Sequence, residues 1–391
     1  MTARIVIAVQ TVRAFAYGFG AVILGSALAA EGFSAAGVGA LFTAMLGGMA
    51  LMTFAVGRWG DVLGRRRMYI SLLAVMGVSG AVYGITAWVP ALVLAAITGT
   101  MSTDANESGP ITSLEQAMLA DSPAAERARV FGRYNAAAYL AGSLGALVAA
   151  APQALRSVAP GAPAEQRWLL AFPVLAVACV LLAMRLPRSV EHQAGARRRP
   201  LTTSRSSVQR LAALFAVDAF AGGLVVTSFI VFWFKTRYGA TTEVMGVTLF
   251  FAGLLQAASS IVAGAIAPRL GLINTMVYTH LPSNILLALV PVMPSLGPAI
   301  AVLLVRFAIS QMDVPARQAF IATLVQPEER TAAAAYTNTA RFIGRPAGPT
   351  IAGALMQHAT VAAPFVVAGV IKSLYDVVVY VAFRSKLPPG R

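Results

Sequence analysis

Twelve apolar runs fill almost the whole chain, at about residues 4–29, 36–57, 67–89, 91–120, 127–150, 168–185, 209–235, 243–267, 272–293, 297–322, 331–356 and 362–384. A hydrocarbon core about 30 Å thick is crossed by ~20 predominantly apolar helical residues. Inside lipid every backbone N–H and C=O must be paired within its own helix or around a closed barrel. A barrel would show alternating segments of ~10 residues, and these runs are continuous. The expected fold is therefore an all-α membrane protein with 12 transmembrane helices. Composition points the same way: 58% of the 391 residues are hydrophobic and 12% charged, against roughly 25% charged in a soluble domain.

The net charge of +15 would suggest nucleic acid in a soluble protein, but the basic residues lie mostly in short breaks between apolar runs. They read as topology signals, and nucleic-acid partners are excluded. GRWGDVLGRRR (57–67) holds four arginines and the break from Arg185 to Arg210 holds seven, whereas AAEGFSAAG and WVP hold almost none. Both termini and the central loop are thus expected in the cytoplasm, with the chain multi-pass in a bacterial inner membrane. SALAAEG (26–32) offers a small-x-small cleavage site, but Arg13 within the first run and the length of that run argue against a signal peptide. Cys179 is the single cysteine, so neither a disulfide framework nor a cysteine metal cluster is expected.

The one long break divides the runs six and six: an N-terminal bundle over 1–184, a basic linker over 185–208 and a C-terminal bundle over 209–391. Internal repetition follows that division. AFA at 14–16 recurs at 219–221, and Gly39, Gly57, Leu63 and Gly64 match Gly246, Gly264, Leu270 and Gly271 at an offset of 207. Gln116 and Ala117 match Gln318 and Ala319, while Glu126, Arg127, Asn135 and Gly145 match Glu329, Arg330, Asn338 and Gly348. A duplicated six-helix unit is a typical build for a secondary transporter.

Between runs two and three the chain reads Gly57-Arg-Trp-Gly-Asp61-Val-Leu-Gly64-Arg65-Arg66-Arg67. Placed in a 6+6 chain, this resembles the G-x-L-x-D-x-x-G-R-[RK]-x motif of the major facilitator superfamily, with Trp59 in place of the usual leucine. The resemblance spans all 391 residues and implies two pseudo-symmetric six-helix bundles. It also implies a conformational latch built from Gly57, Asp61, Gly64, Arg65 and Arg66, with Asp61 near the start of run eleven, around Glu329 to Ala333. The matching GAIAPRLG (264–271) keeps the glycines and loses the acid. Two family patterns are absent: the arginine of drug exporters in helix four, and the Gly-Pro element of proton antiporters in helix five, where this chain has Gly142-Ser-Leu-Gly145.

An ionisable group at mid-span costs roughly 2.5–3.5 kcal/mol on insertion scales and needs a partner or water. Arg13, Asp104, Glu107, Glu115, Asp218, Arg306, Asp313, Arg317, Arg341, Arg345, Lys372 and Asp376 all fall within runs. On a continuous helix Asp104 and Glu115 lie ~20° apart with Glu107 ~60° aside, and Arg306, Asp313 and Arg317 form a second stripe. In the repeat register Arg13 aligns with Asp218 and Glu115 with Arg317, so the signs are exchanged between halves. In the resembled superfamily helices one and four line the cavity together, as do seven and ten, so the resemblance implies the pairs Arg13 with Glu115 or Glu107, and Asp218 with Arg317. Asp104, Glu107 and Asp313 are the proton-coupling candidates. Arg13, Tyr17, Glu115, Asn135, Asp218, Arg306, Arg317, Asn338, Arg341 and Arg345 are the substrate-cavity candidates. Lys372 and Asp376, four apart on run twelve, read as a structural pair, and His280 as a capping or packing residue.

The function expected is alternating-access secondary transport of a small molecule, as proton-coupled efflux; uptake of a small organic anion or nutrient, supported by the arginines of runs one, ten and eleven, is the alternative. No GxxxxGK[ST] sequence is present, so ATP does not drive this chain directly. Three scattered histidines offer no catalytic set, and no soluble sensing domain is expected. The expected partners are a small-molecule substrate, protons and the lipid bilayer, with no cofactor, no metal and a monomeric state.

Overall fold

In the computed structural model every element among the described residues is helical. Those residues are 1–102, 104, 109–120, 124–191, 202, 204–326 and 329–384, excluding the side chains of 61, 120, 124–129, 189, 264, 265, 268, 322, 330–332, 334 and 335. The first half holds α1 (Thr2–Ala30), α2 (Ala35–Leu63), α3 (Arg65–Ile85), α4 (Val89–Ile97), α5 (Pro110–Ala120), α6 (Ala124–Val148), α7 (Ala151–Val158) and α8 (Ala171–Ala183). The second holds α9 (Arg205–Gly223), α10 (Thr227–Tyr238), α11 (Thr242–Leu270), α12 (Leu272–Leu289), α13 (Leu296–Ile309), α14 (Asp313–Leu324), α15 (Arg330–Gly344), α16 (Ala347–His358) and α17 (Ala363–Phe383). Among the described residues ten spans are long and apolar enough to cross a membrane, and runs four and eleven are not among them.

Four of the expected continuous runs are split: run four between Ile97 and Pro110, run seven between Gly223 and Thr227, run ten between Ile309 and Asp313, and run eleven between Gly344 and Ala347. In run four the freed backbone groups find hydroxyls. The Thr98 hydroxyl donates to the Ala95 carbonyl at 2.7 Å, and Ser102 both donates to the Asp104 carbonyl and accepts from the Asp104 N–H. Irregular backbone survives at membrane depth only with such internal partners. The face that sequence periodicity assigns to Asp104 and Glu115 therefore does not exist, because the helix needed to relate them is interrupted. Arg306 and Asp313 likewise stand on separate helices, α13 and α14.

The repeat is visible in the packing of each half. Gly64 ends α2 at φ 90° and Gly271 ends α11 at φ 85°, both in a region that only glycine enters at low cost, so each half turns from its second to its third helix the same way. A side chain on Gly18 of α1 would strike the Gly142 backbone of α6, and one on Gly145 would strike Phe15. The equivalents Gly223 and Gly348 abut each other in the second half, and Gly344 abuts Ala216. Small residues at these crossings let helices approach closely where lipid offers no hydrophobic drive to associate.

By backbone proximity the chain forms two compact units, Met1–Ala194 with Val226–Gly253, and Gly195–Val225 with Leu254–Arg391. In the first, α1 is the central helix, packed on α6, α8 and α10. In the second, Leu211, Phe215, Ile273, Met276, Phe320, Tyr375, Val379 and Phe383 form an apolar core that binds α9, α12, α14 and α17 together.

Candidate functional site

α1 is apolar around its circumference, with Arg13 as its one buried charge. Arg13 Nη2 lies 2.5 Å from Glu115 Oε2 and 3.0 Å from Thr112 Oγ1, both on α5, and also bonds Gln10. Tyr69 of α3 donates to Glu115 Oε1 at 2.8 Å, and Tyr134 of α6 donates to Oε2 at 2.7 Å. Glu115 is fully buried, with both of its oxygens occupied. Arg13 also lies 5.2 Å from the Tyr17 ring centre, and Tyr17 donates to the Thr100 carbonyl at 2.7 Å. This knot holds α1, α3, α5 and α6 and the interrupted stretch of run four. The repeat register pointed to the Arg13–Glu115 contact; Tyr69, Tyr134, Gln10 and Thr112 carried no sequence signal.

Asp104 lies in the interruption of run four, where its Oδ1 accepts the Thr227 N–H at 2.8 Å. Thr227 is the first residue of α10, so the carboxylate sits against the positive end of a helix dipole. Glu107 lies outside the described residues.

The second unit holds the larger cluster. Asp218 of α9 is buried, with Lys372 Nζ of α17 at 2.6 Å, Arg317 Nη1 of α14 at 3.7 Å and His280 Nε2 of α12 at 3.9 Å. Arg317 also meets Asp313, one turn earlier and the first residue of α14, at 3.1 Å. Asp376, one turn beyond Lys372, faces His280 Nδ1 at 2.8 Å and Asn284 Nδ2 at 2.9 Å. Two sequence readings are corrected here. Lys372 and Asp376 are not each other's partners; Lys372 reaches α9 and Asp376 reaches α12. His280 neither caps α12 nor merely packs, because it lies mid-helix between two carboxylates. The expected Asp218–Arg317 contact exists, but Lys372 holds Asp218 more closely. The apolar core of this unit supplies the positioning: Phe215, Met276, Phe320 and Tyr375 stand within a turn of the four charged residues, and Arg317 stacks over Phe215 at 5.4 Å. The signal for Lys372 and Asp376 lay in their placement inside an apolar run, which demands partners across helices rather than along one.

Of the remaining candidates, Arg341 of α15 lies near enough to Asp218, Asp313 and Arg317 to act on them electrostatically. Asn135 and Asn338 are exposed. Arg306 stacks 4.9 Å over Phe307; Arg341 and Arg345 are half-buried on α15 and at its end. In the motif loop, Arg66 Nη2 donates to the Met184 carbonyl at 2.5 Å, tying the start of α3 to the end of α8; the Asp61 side chain is outside the described residues. At the linker's end, Glu329 accepts from the N–H and hydroxyl of Thr202 and the N–H of Ser204 at 2.7 to 3.0 Å, bonds that lower its carboxyl pKa to about 2.

A further polar knot in the first unit was not anticipated. Glu165, in a short 3-10 turn before α8, accepts from Ser26 and Thr242 at 2.7 and 2.8 Å and faces Lys235 Nζ at 3.4 Å. It joins the end of α1 to the end of α10 and the start of α11.

The family model described as Major Facilitator Superfamily matches residues 6–312. A Saccharomyces cerevisiae protein described as an uncharacterized membrane protein is 23% identical over 384 residues, covering 88% of this chain and 86% of that protein. Among solved structures, the nucleoside transporter NupG superposes with a TM-score of 0.72 at 14% identity, covering 98% of each chain. A bacterial homolog of the human lysosomal transporter Spinster, inward-facing and occupied, gives 0.70 at 15% identity, covering 99% of this chain and 98% of that one. The D-xylose-proton symporter gives 0.68 at 16% identity, covering 97% of each.

Proposed function

The chain belongs to the Major Facilitator Superfamily, and from that premise we propose that it exports a small neutral or cationic organic compound across a bacterial inner membrane in exchange for protons. Its being a secondary transporter rather than an enzyme follows from the family; cargo, direction and coupling are the proposal. The observation that carries the cargo class is the state of the buried arginines. Arg13 is held by Glu115 and Arg317 by Asp313, so two of the arginines that favoured an anionic cargo are already neutralised. The same bonds occupy Glu115 and Asp313; Asp376, which meets only His280 and Asn284 among the described residues, is the acid that suits a hydrogen-bonding or cationic solute and can take a proton. Splits in runs four, seven, ten and eleven support a transport site, because interrupted helices present backbone groups at membrane depth.

In this reading Asp313 and Asp104 exchange partners as the transporter cycles. Gly57, Asp61, Gly64, Arg65 and Arg66 act as the cytoplasmic latch, a role supported by their match to the family motif. The excess of arginine at this loop and in the linker supports cytoplasmic termini. The test is flux in proteoliposomes under a pH gradient imposed in each orientation, with panels of neutral, cationic and anionic solutes. Neutral or cationic solutes are expected to move against the proton flow. Movement with the protons assigns uptake, flux confined to anions overturns the cargo class, and flux indifferent to the gradient removes proton coupling.

A further inference from the structure

We propose that His280 and Asp376, bracketed by Asn284, form a proton-binding site in the second unit that controls the partner of Asp218. The inference rests on the proton coupling proposed above and assigns it to α12 and α17. Asp376 differs from the other acids of its cluster. Asp218 and Asp313 each meet a lysine or arginine, whereas among the described residues Asp376 meets only the imidazole and the Asn284 amide. A buried carboxylate whose main partner is itself titratable has no fixed counter-charge, and its ionisation is tied to a proton on that partner.

The imidazole is placed to carry that proton. Nδ1 lies 2.8 Å from Asp376 Oδ1, and Nε2 lies 3.9 Å from Asp218 Oδ1, the same oxygen that takes the Lys372 ammonium. A neutral ring has one N–H and can serve one of the two carboxylates; a protonated ring serves both. Gaining a proton therefore draws Asp218 toward α12, and losing it leaves Asp218 to Lys372 and Arg317. The groups that contribute to this balance are Asp376, Lys372 and Tyr375 from α17, Asp313 and Arg317 from α14, Asp218 from α9, and Arg341 from α15, which acts on Asp218 and Arg317. The one ionisable side chain of α13 is Arg306, which stacks on Phe307.

An independent observation marks the same place. Asn284 is 1% exposed and its Oδ1 has no hydrogen-bond partner, although its Nδ2 is bonded to Asp376. A buried acceptor left open beside a carboxylate is suited to a donor that comes and goes. Pro282 lies between His280 and Asn284, so α12 lacks one of its rungs there. The imidazole retains 8% exposure against 2% for Asp376, so the ring is the less enclosed of the two. One proton is taken from water on one side and returned to water on the other; only N–H and O–H bonds form and break.

The test compares wild type, Asp376→Asn and His280→Gln in proteoliposomes, as the ratio of gradient-driven accumulation to downhill flux of the same solute. That ratio is expected to fall at least about tenfold in both variants, equivalent to ~1.4 kcal/mol of lost coupling. A wild type indifferent to the pH gradient defeats the proton-coupled reading as a whole; a coupled wild type with variants of unchanged ratio and pH profile defeats the assignment to this pair alone. Because either variant could fold poorly, nitrogen NMR of labelled histidine in the wild type provides a second readout. A His280 signal that changes with pH and shifts when solute is added supports the site; one that responds to neither overturns it.

Discussion

In the first half one carboxylate, Glu115, receives hydrogen bonds from Arg13, Tyr69 and Tyr134, whereas in the second half Asp218, Asp313 and Asp376 divide Lys372, Arg317 and His280 among them. The two arrangements grow from equivalent places. Arg13 and Asp218 occupy matching positions on α1 and α9, yet where the second half has His280 the register of Gly64 and Gly271 puts Leu73, fully buried. Around Asp218 the second unit gathers Lys372, His280 and Arg317, where the first unit sets a single arginine against Glu115. The saturated knot is suited to holding helices in place, and the shared cluster to changing partners.

The comparison breaks most visibly if Glu115 is removed. Glu115→Ala leaves Arg13 buried without its counter-charge and is expected to cost about 3–5 kcal/mol, read as a fall in the thermal unfolding midpoint of the purified protein in detergent. Adding Arg13→Met should recover most of that loss; a single variant within about 1 kcal/mol of wild type would mean the knot is not holding α1. Lys372→Met should cost less, about 1–3 kcal/mol, because Arg317 and His280 still face Asp218. A penalty as large as that of Glu115→Ala would erase the proposed contrast.

Gly145→Ala and Gly348→Ala probe the matched helix crossings and should each cost about 1–3 kcal/mol by forcing backbones apart. A clear difference between the two would show that the repeat is not mechanically equivalent. Lys235→Met, at the partly exposed Glu165 knot, is expected to cost no more than about 1 kcal/mol. Its informative readout is cysteine accessibility at residue 26, which should rise if this knot closes one end of the first unit.

The smallest effect concerns pH. The folded Glu329 carboxyl titrates near 2, below its ordinary value of 4.5, so its bonds to Thr202 and Ser204 are present above about pH 4.5 and disappear as the pH falls toward 2. Protection of the amides of residues 202 and 204, taken relative to their intrinsic exchange rates, should fall over that window and stay constant with pH in Glu329→Gln.

Much of the fold could be read from the chain because lipid permits few solutions: long apolar runs, arginine-rich breaks and a half-length repeat specify twelve helices in two related sets. The Arg13–Glu115 contact was legible because a buried charge must be paired and the family resemblance indicated which helices face each other. Periodicity misled at Asp104 and Arg306, because it presumes an unbroken helix and the breaks in runs four and ten rest on hydroxyl bonds that no spacing rule reveals. Lys372 and Asp376 were read along their own helix when their partners lie across it.

The sequence by itself determined that this chain enters a membrane as a duplicated helical transporter, because hydropathy and charge placement act on each segment locally. The tertiary structure alone decided which charges meet. Buried ionic partners are set by helix rotation, by glycine-mediated approach and by the points where helices break, none of which is a local property of the residues concerned. Only in the folded protein does His280 come to lie between Asp218 and Asp376.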